Sequence, residues 1–79
     1  MIDVRTPGEY ARGHVPSTIN LPLSEIETGN VPSVDLNEKI IVYCRTGSRS
    51  ERAKDILISQ GYVTVTNGGG LHDVGAVEY

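Results

Sequence analysis

The stretch Ile40-Ile41-Val42-Tyr43-Cys44-Arg45-Thr46-Gly47-Ser48-Arg49-Ser50-Glu51-Arg52 decides the fold. Its opening four residues are apolar and mostly branched, the composition of a short strand buried on both faces. The run delivers the chain's single cysteine to a loop that holds one glycine, two hydroxyl residues and two arginines. A helical pattern follows, with Ala53, Ile56 and Leu57 on one stripe and Glu51, Arg52, Lys54 and Asp55 turned elsewhere. Ser48 and Glu51 have capping-box spacing, which predicts a helix start between residues 48 and 50. Strand, loop and helix in this order are the working unit of an α/β fold, and ligands of open parallel sheets bind beyond the carboxyl ends of the strands, where Cys44 falls.

Working outward, residues 2–4 form a second short strand that ends at Thr6-Pro7-Gly8, with Pro7 opening a brief helix through Glu9, Tyr10 and Ala11. Gly13-His14-Val15-Pro16 closes that helix, and residues 19–21 form another strand stopped by Pro22. Ser24 and Glu27 again have capping-box spacing, so a short helix is expected there, ending at Gly29-Asn30. Residues 31–38 read as loop, residues 63–65 as a fourth strand, and Asn67-Gly68-Gly69-Gly70 as a tight turn into Leu71-His72-Asp73-Val74. Strands alternating with helices imply parallel pairing and right-handed crossovers.

Composition narrows the function. The chain has 79 residues, 38% of them hydrophobic, with nine glycines, no Phe and no Trp, so Val, Ile and Leu must build the core of one small domain. A domain this size buries only about 60 to 65% of its unfolded surface. A net charge of -3 argues against a nucleic-acid surface, yet Arg45, Arg49 and Arg52 crowd into eight residues. That local charge suits a small anion. A lone cysteine forms no internal disulfide, and no apolar run approaches the ~18 to 20 residues that cross a bilayer. The opening residues leave no room for a signal peptide, so the sequence reads as cytoplasmic by default, and as periplasmic if a presequence was removed.

A cysteine beside cations and a helix amino terminus has a thiol pKa lowered into the range of about 3.5 to 7.5 and acts as a nucleophile. Gly47 is expected to curl the loop at positive φ. Two histidines and one cysteine, widely separated, give no metal spacing, and the glycine run lacks any nucleotide-loop pattern. His14 is expected to bond backbone groups in its turn, and His72 to sit on the surface near the pocket rim. Tyr10 and Tyr43 are expected to pack.

Four segments together resemble the single-domain rhodaneses, sulfurtransferases that carry sulfur as a cysteine persulfide. They are Ile2-Asp3-Val4-Arg5-Thr6-Pro7-Gly8-Glu9-Tyr10, then Gly13-His14-Val15-Pro16 with Ile19-Asn20-Leu21-Pro22, then residues 42–50, then Asn67-Gly68-Gly69-Gly70-Leu71. The ending Gly69-Gly70-Leu71-His72-Asp73-Val74 is similar to small phage-shock-type members. The resemblance implies a three-layer rhodanese-like α/β fold with a mainly parallel central sheet of about four strands flanked by short helices. It implies a single domain over residues 1–79 without the strand and helix that usually precede the Asp-Val-Arg block. Ser17-Thr18 replaces the Gly-Ala pair common in the family, and no Trp follows the glycine turn.

By the same resemblance Cys44 is the sulfur-accepting nucleophile, and the backbone of Arg45, Thr46, Gly47, Ser48, Arg49 and Ser50 cradles its outer sulfur. Arg45 and Arg49 would attract the sulfonate of a donor. Asp3 and Arg5, with Glu9, would support the loop. The implied reaction moves a sulfane sulfur from thiosulfate or a persulfide donor to cyanide, a thiol or a protein acceptor, with no cofactor and with a monomer as the expected state. Two other readings stay open at this level: a non-catalytic persulfide carrier or sensor, and a phosphatase or arsenate reductase. Related phosphatases place one residue more between cysteine and arginine than the four of this loop, a ring better sized for phosphate than for sulfur.

Overall fold

The computed structural model describes residues 1–75. Seven elements follow in order: β1 (Ile2–Asp3), α1 (Pro7–Ala11), β2 (Ile19–Asn20), α2 (Leu23–Glu27), β3 (Lys39–Cys44), α3 (Ser48–Ser59) and β4 (Thr64–Gly70). The strands form one sheet in the order β2-β1-β3-β4, and every neighbouring pair is parallel. The ladder reaches past the shortest strands. Val4 N–H donates to Tyr43 O at 3.0 Å, and Leu21 N–H to Asp3 O at 2.9 Å.

The chain steps one way across the sheet from β1 to β2, then the other way to β3 and on to β4. Right-handed crossovers therefore put α1 on one face and α2 with α3 on the other, which yields the three-layer α/β fold expected from the sequence. Alternation along the strands sorts the side chains accordingly. Ile2, Val4, Ile40, Val42, Cys44 and Val65 join Ile26, Ala53 and Leu57 in one apolar cluster. On the opposite face Tyr43 is fully buried, and its hydroxyl accepts from Val15 N–H at 3.3 Å and lies 3.2 Å from Thr18 Oγ1.

The caps differ from those the sequence suggested. α1 has a complete capping box: Thr6 Oγ1 accepts from Glu9 N–H at 3.2 Å, and the Glu9 carboxylate accepts from Thr6 N–H at 3.1 Å. The expected boxes at Ser24 and Ser48 do not form. Pro22 and Gly47 occupy the N-cap positions of α2 and α3 with no side-chain cap bond.

The glycine run is also not the tight turn that its composition predicted. β4 continues through Gly70, and the turn falls at residues 71–73. Val42 pairs with Asn67 and Tyr43 with Gly69, so Gly68 is an inserted residue that bulges the strand. Close approach explains the glycines. A Cβ on Gly68 would lie 2.5 Å from Val74 Cγ1, and one on Gly70 would lie 2.6 Å from the Arg45 carbonyl oxygen.

Candidate active site

β3 ends on Cys44, and the chain turns within three residues into α3. Gly47 makes that turn possible with φ of 107°, a conformation that costs a side chain dearly, and Gly69 Cα stands 3.4 Å from where its Cβ would be. The turn brings donors onto the sulfur. Gly47 N–H points at Sγ from 2.9 Å and the Ser50 hydroxyl lies 3.5 Å away. Burial pushes the fully buried Cys44 thiol up, but hydrogen bonds from the Ser50 hydroxyl and from the amides of Ser50, Gly47 and Thr46 outweigh it and hold the pKa below the ordinary value. Sequence reasoning credited neighbouring cations and the helix terminus. Hydrogen bonds are the main lowering influence.

The loop is fastened from β4. Thr46 forms an antiparallel bridge with Gly70. Asn67 Nδ2 donates to Gly47 O at 3.0 Å and to Glu51 Oε1 at 3.2 Å, while its Oδ1 accepts from Ser50 Oγ at 2.6 Å and from Gly69 N–H at 2.9 Å. Asp73 Oδ2 accepts from Gly70 N–H at 2.8 Å. Sequence reasoning missed Asn67 and Asp73, taking the first as a turn residue. The available signal was an amide side chain at the end of the strand beside the cysteine strand.

The supporting charges fall into two closed pairs. Asp3 is fully buried and accepts from Arg5 Nη2 at 2.6 Å, from Arg5 Nε and from Arg5 N–H, while Arg5 Nη2 also donates to Gly13 O at 2.7 Å. The Arg5 guanidinium stands 6.0 Å from the centre of the Tyr43 ring. Glu9 receives both terminal nitrogens of Arg49, at 2.6 and 2.9 Å, and this raises Arg49 and holds Glu9 down at about 2. Asp3, Arg5 and Glu9 are thus all engaged in ion pairs, with Arg49 the partner of Glu9. His14 Nδ1 lies 2.8 Å from Tyr10 O and its ring stacks on Tyr10 at 3.8 Å, the backbone role read from its turn.

Beside the loop lies a cavity of about 420 Å³. Arg5, Glu9 and Arg12 line it from the α1 side, Arg45 and Thr46 from the cysteine loop, and Leu71 and His72 from the final turn. Arg12 was not anticipated, and His72 does reach the rim. Arg49 lines a different hollow of about 240 Å³ with Val4, Thr6, Pro22, Leu23, Ser24 and Glu27. A further apolar cavity of about 220 Å³, lined by Ile2, Ile19, Pro32 and Ile40 among others, sits at the opposite end of the sheet from Cys44.

An open parallel α/β sheet that presents one hydrogen-bonded thiol, in a loop of inward amides beside a cationic cavity, defines a cysteine-dependent domain for small anions. Comparison with known proteins specifies the class further. Residues 1–73 match the Rhodanese-like domain family, and the chain belongs to it. It is 45% identical over 74 residues to the thiosulfate sulfurtransferase PspE of Escherichia coli, covering 92% of this chain and 71% of that protein. It is 36% identical over 67 residues to a sulfurtransferase of Allochromatium vinosum, covering 85% of this chain and 62% of that one. A solved structure, a rhodanese with anions from E. coli, superposes with a TM-score of 0.87 at 42% identity and covers 98% of this chain and 93% of its own.

Proposed function

We propose that this chain is a thiosulfate-type sulfurtransferase that works through a Cys44 persulfide. The observation that carries the reading is the pairing of Cys44 Sγ with inward donors from Gly47 and Ser50 in a loop of family length. Those donors stabilise a thiolate before reaction and a terminal persulfide sulfur after it. Family membership and likeness to PspE support the sulfur chemistry over phosphate or arsenate chemistry. The thiolate attacks the outer sulfur of the donor, a new S–S bond forms, and the donor's S–S bond breaks as sulfite leaves with the electron pair. A thiophile then takes the outer sulfur and restores the thiolate. The cavity lined by Arg45 and Thr46, the two residues that follow Cys44, is the approach to the buried thiol that this reading assigns to the donor. With one cysteine in the chain, no second thiol of its own resolves the persulfide, so the acceptor comes from outside.

Incubation with thiosulfate followed by intact mass measurement tests the proposal. One added sulfur that cyanide removes, and that Cys44→Ser never gains, is the expected result; an unchanged mass would count against the reading. Multiple-turnover thiocyanate formation then separates an enzyme from a carrier that loads once.

A further inference from the structure

Resting on that sulfurtransferase reading, the question is which cations face the donor. The chain has five arginines and two lysines. Arg5 is buried against Asp3 and Gly13 O, and Arg49 gives both terminal nitrogens to Glu9 and borders the other hollow. On α3, Arg52 lies 3.6 Å from Glu27 of α2, and Lys54 lies 3.7 Å from Glu51 of its own helix. Lys39 lies at the start of β3, the end of the sheet away from Cys44. Two cations remain. Arg12 and Arg45 make no ion pair among the described residues, and both line the 420 Å³ cavity. They come from separate elements, the C-cap of α1 and the residue after Cys44. The one carboxylate in the lining, Glu9, is already matched by Arg49, so the excess positive charge of the cavity belongs to Arg12 and Arg45.

We infer that Arg12 is a donor-binding and specificity-determining residue, holding with Arg45 the oxyanion end of the donor, while Arg49 positions the loop through Glu9. Charge accounting favours this division. A thiolate and thiosulfate bring three negative charges together, and after transfer two of them reside on departing sulfite and one on the persulfide. Loop amides at the cysteine serve the transferring sulfur. Guanidiniums on the cavity wall serve the sulfonate, with planar forks suited to its oxygens. In the second half-reaction, attack by cyanide on the persulfide, no sulfonate is present and Arg12 has nothing to hold.

Ping-pong kinetics read the two halves separately. Arg12→Gln is expected to lower kcat/KM for thiosulfate on the order of tenfold at low ionic strength, the loss of one charge-assisted contact in a solvent-open site. kcat/KM for cyanide should stay within about twofold of wild type, since cyanide brings a single charge and no sulfonate for the guanidinium to hold. The thiosulfate loss should shrink as salt rises, Arg12→Lys should recover part of it, and monoanionic methanethiosulfonate should lose less than dianionic thiosulfate. Arg52→Gln removes the same unit charge from the outer face of α3 and should leave both constants near wild type. Equal losses in both halves, or none in either, overturn the inference. If wild-type protein gains no sulfur at Cys44, the sulfurtransferase reading falls and this one with it; if wild type loads and Arg12→Gln matches it, this one falls alone.

Discussion

Replacing Ser50 with alanine should raise the Cys44 pKa while leaving the fold nearly intact, and both effects follow from one hydroxyl. Ser50 Oγ lies 2.6 Å from Asn67 Oδ1, 3.0 Å from Gly47 O and 3.5 Å from Cys44 Sγ, and it has one proton to donate. Beside a neutral thiol that proton serves the short contact to Asn67. Beside a thiolate the charge draws it to sulfur, and the Asn67 bond is forfeited. A bond to a charged group contributes about 1.5 to 3 kcal/mol and a neutral one about 0.5 to 1.5, so the hydroxyl favours the thiolate on balance and its loss raises the pKa.

In Ser50→Ala no acceptor is orphaned. Asn67 Oδ1 keeps Gly69 N–H, and Gly47 O keeps Asn67 Nδ2 and Glu51 N–H. The stability cost below the thiol pKa is therefore about 1 kcal/mol. Above it the deficit should widen. A thiol depressed in the folded state contributes stability that is complete above the unfolded pKa of about 8.5 and is lost as pH falls through the folded value, and the variant keeps less of it. Iodoacetamide alkylation rate against pH gives the pKa midpoint directly, and urea melts at two pH values give the stability gap. An unchanged midpoint would refute the role of the hydroxyl and leave the loop amides as the sole support of the thiolate.

Two further substitutions test the fastenings of the loop. Glu9→Gln keeps the capping geometry of α1, since glutamine serves at that position, but removes the charge that binds Arg49. Glu9 is held at about 2, chiefly by Arg49, so its contribution is complete above about pH 4.5 and lost as pH falls through about 2. With a quarter of the side chain exposed, the ion pair contributes about 1 kcal/mol after solvent screening, so urea melts should show that deficit at pH 7 and only a small remnant near pH 2, where Glu9 is half protonated; a gap constant across that window would contradict the assignment. Gly70→Ala would press a methyl group to 2.6 Å from the Arg45 carbonyl oxygen, a backbone atom that yields only if the cysteine loop moves. A loss of about 1 to 3 kcal/mol together with slower sulfur loading is expected, and wild-type melting with wild-type loading would show that the contact relaxes freely.

The strand, loop and helix around Cys44 were legible because hydrophobic run, cysteine and helical stripe are local features. Element order and the parallel sheet followed from the same periodicities. What escaped was long-range. Arg49 lies five residues after Cys44, and no local pattern announced that its guanidinium pairs with Glu9, forty residues earlier in the chain. The Ser48 and Glu51 spacing looked like a cap, but the loop needs a positive φ at Gly47, which takes the N-cap and frees Glu51 to meet Asn67 from β4. Three glycines looked like a turn because composition marks where side chains are missing without saying what occupies the space. Here the space holds Val74 and the Arg45 carbonyl. Thr6 and Glu9 do form a capping box at the same spacing, at the one helix start where the sequence reading named none.

The fastenings also bear on turnover. The loop is held at Gly47 by Asn67, at Thr46 by Gly70 and at Arg49 by Glu9, and the thiol beneath it has no exposure. Under the proposed mechanism donor and acceptor would use one opening in turn, the cavity bordered by Arg45 and Thr46 directly after Cys44. Positive charge that draws thiosulfate in also slows sulfite leaving. A cavity whose cations lie on its wall, while the thiol sulfur is met by neutral amides and a hydroxyl, would separate those demands: under the proposed division, groups that the persulfide does not need capture the donor, and no guanidinium has to release the sulfur to the acceptor.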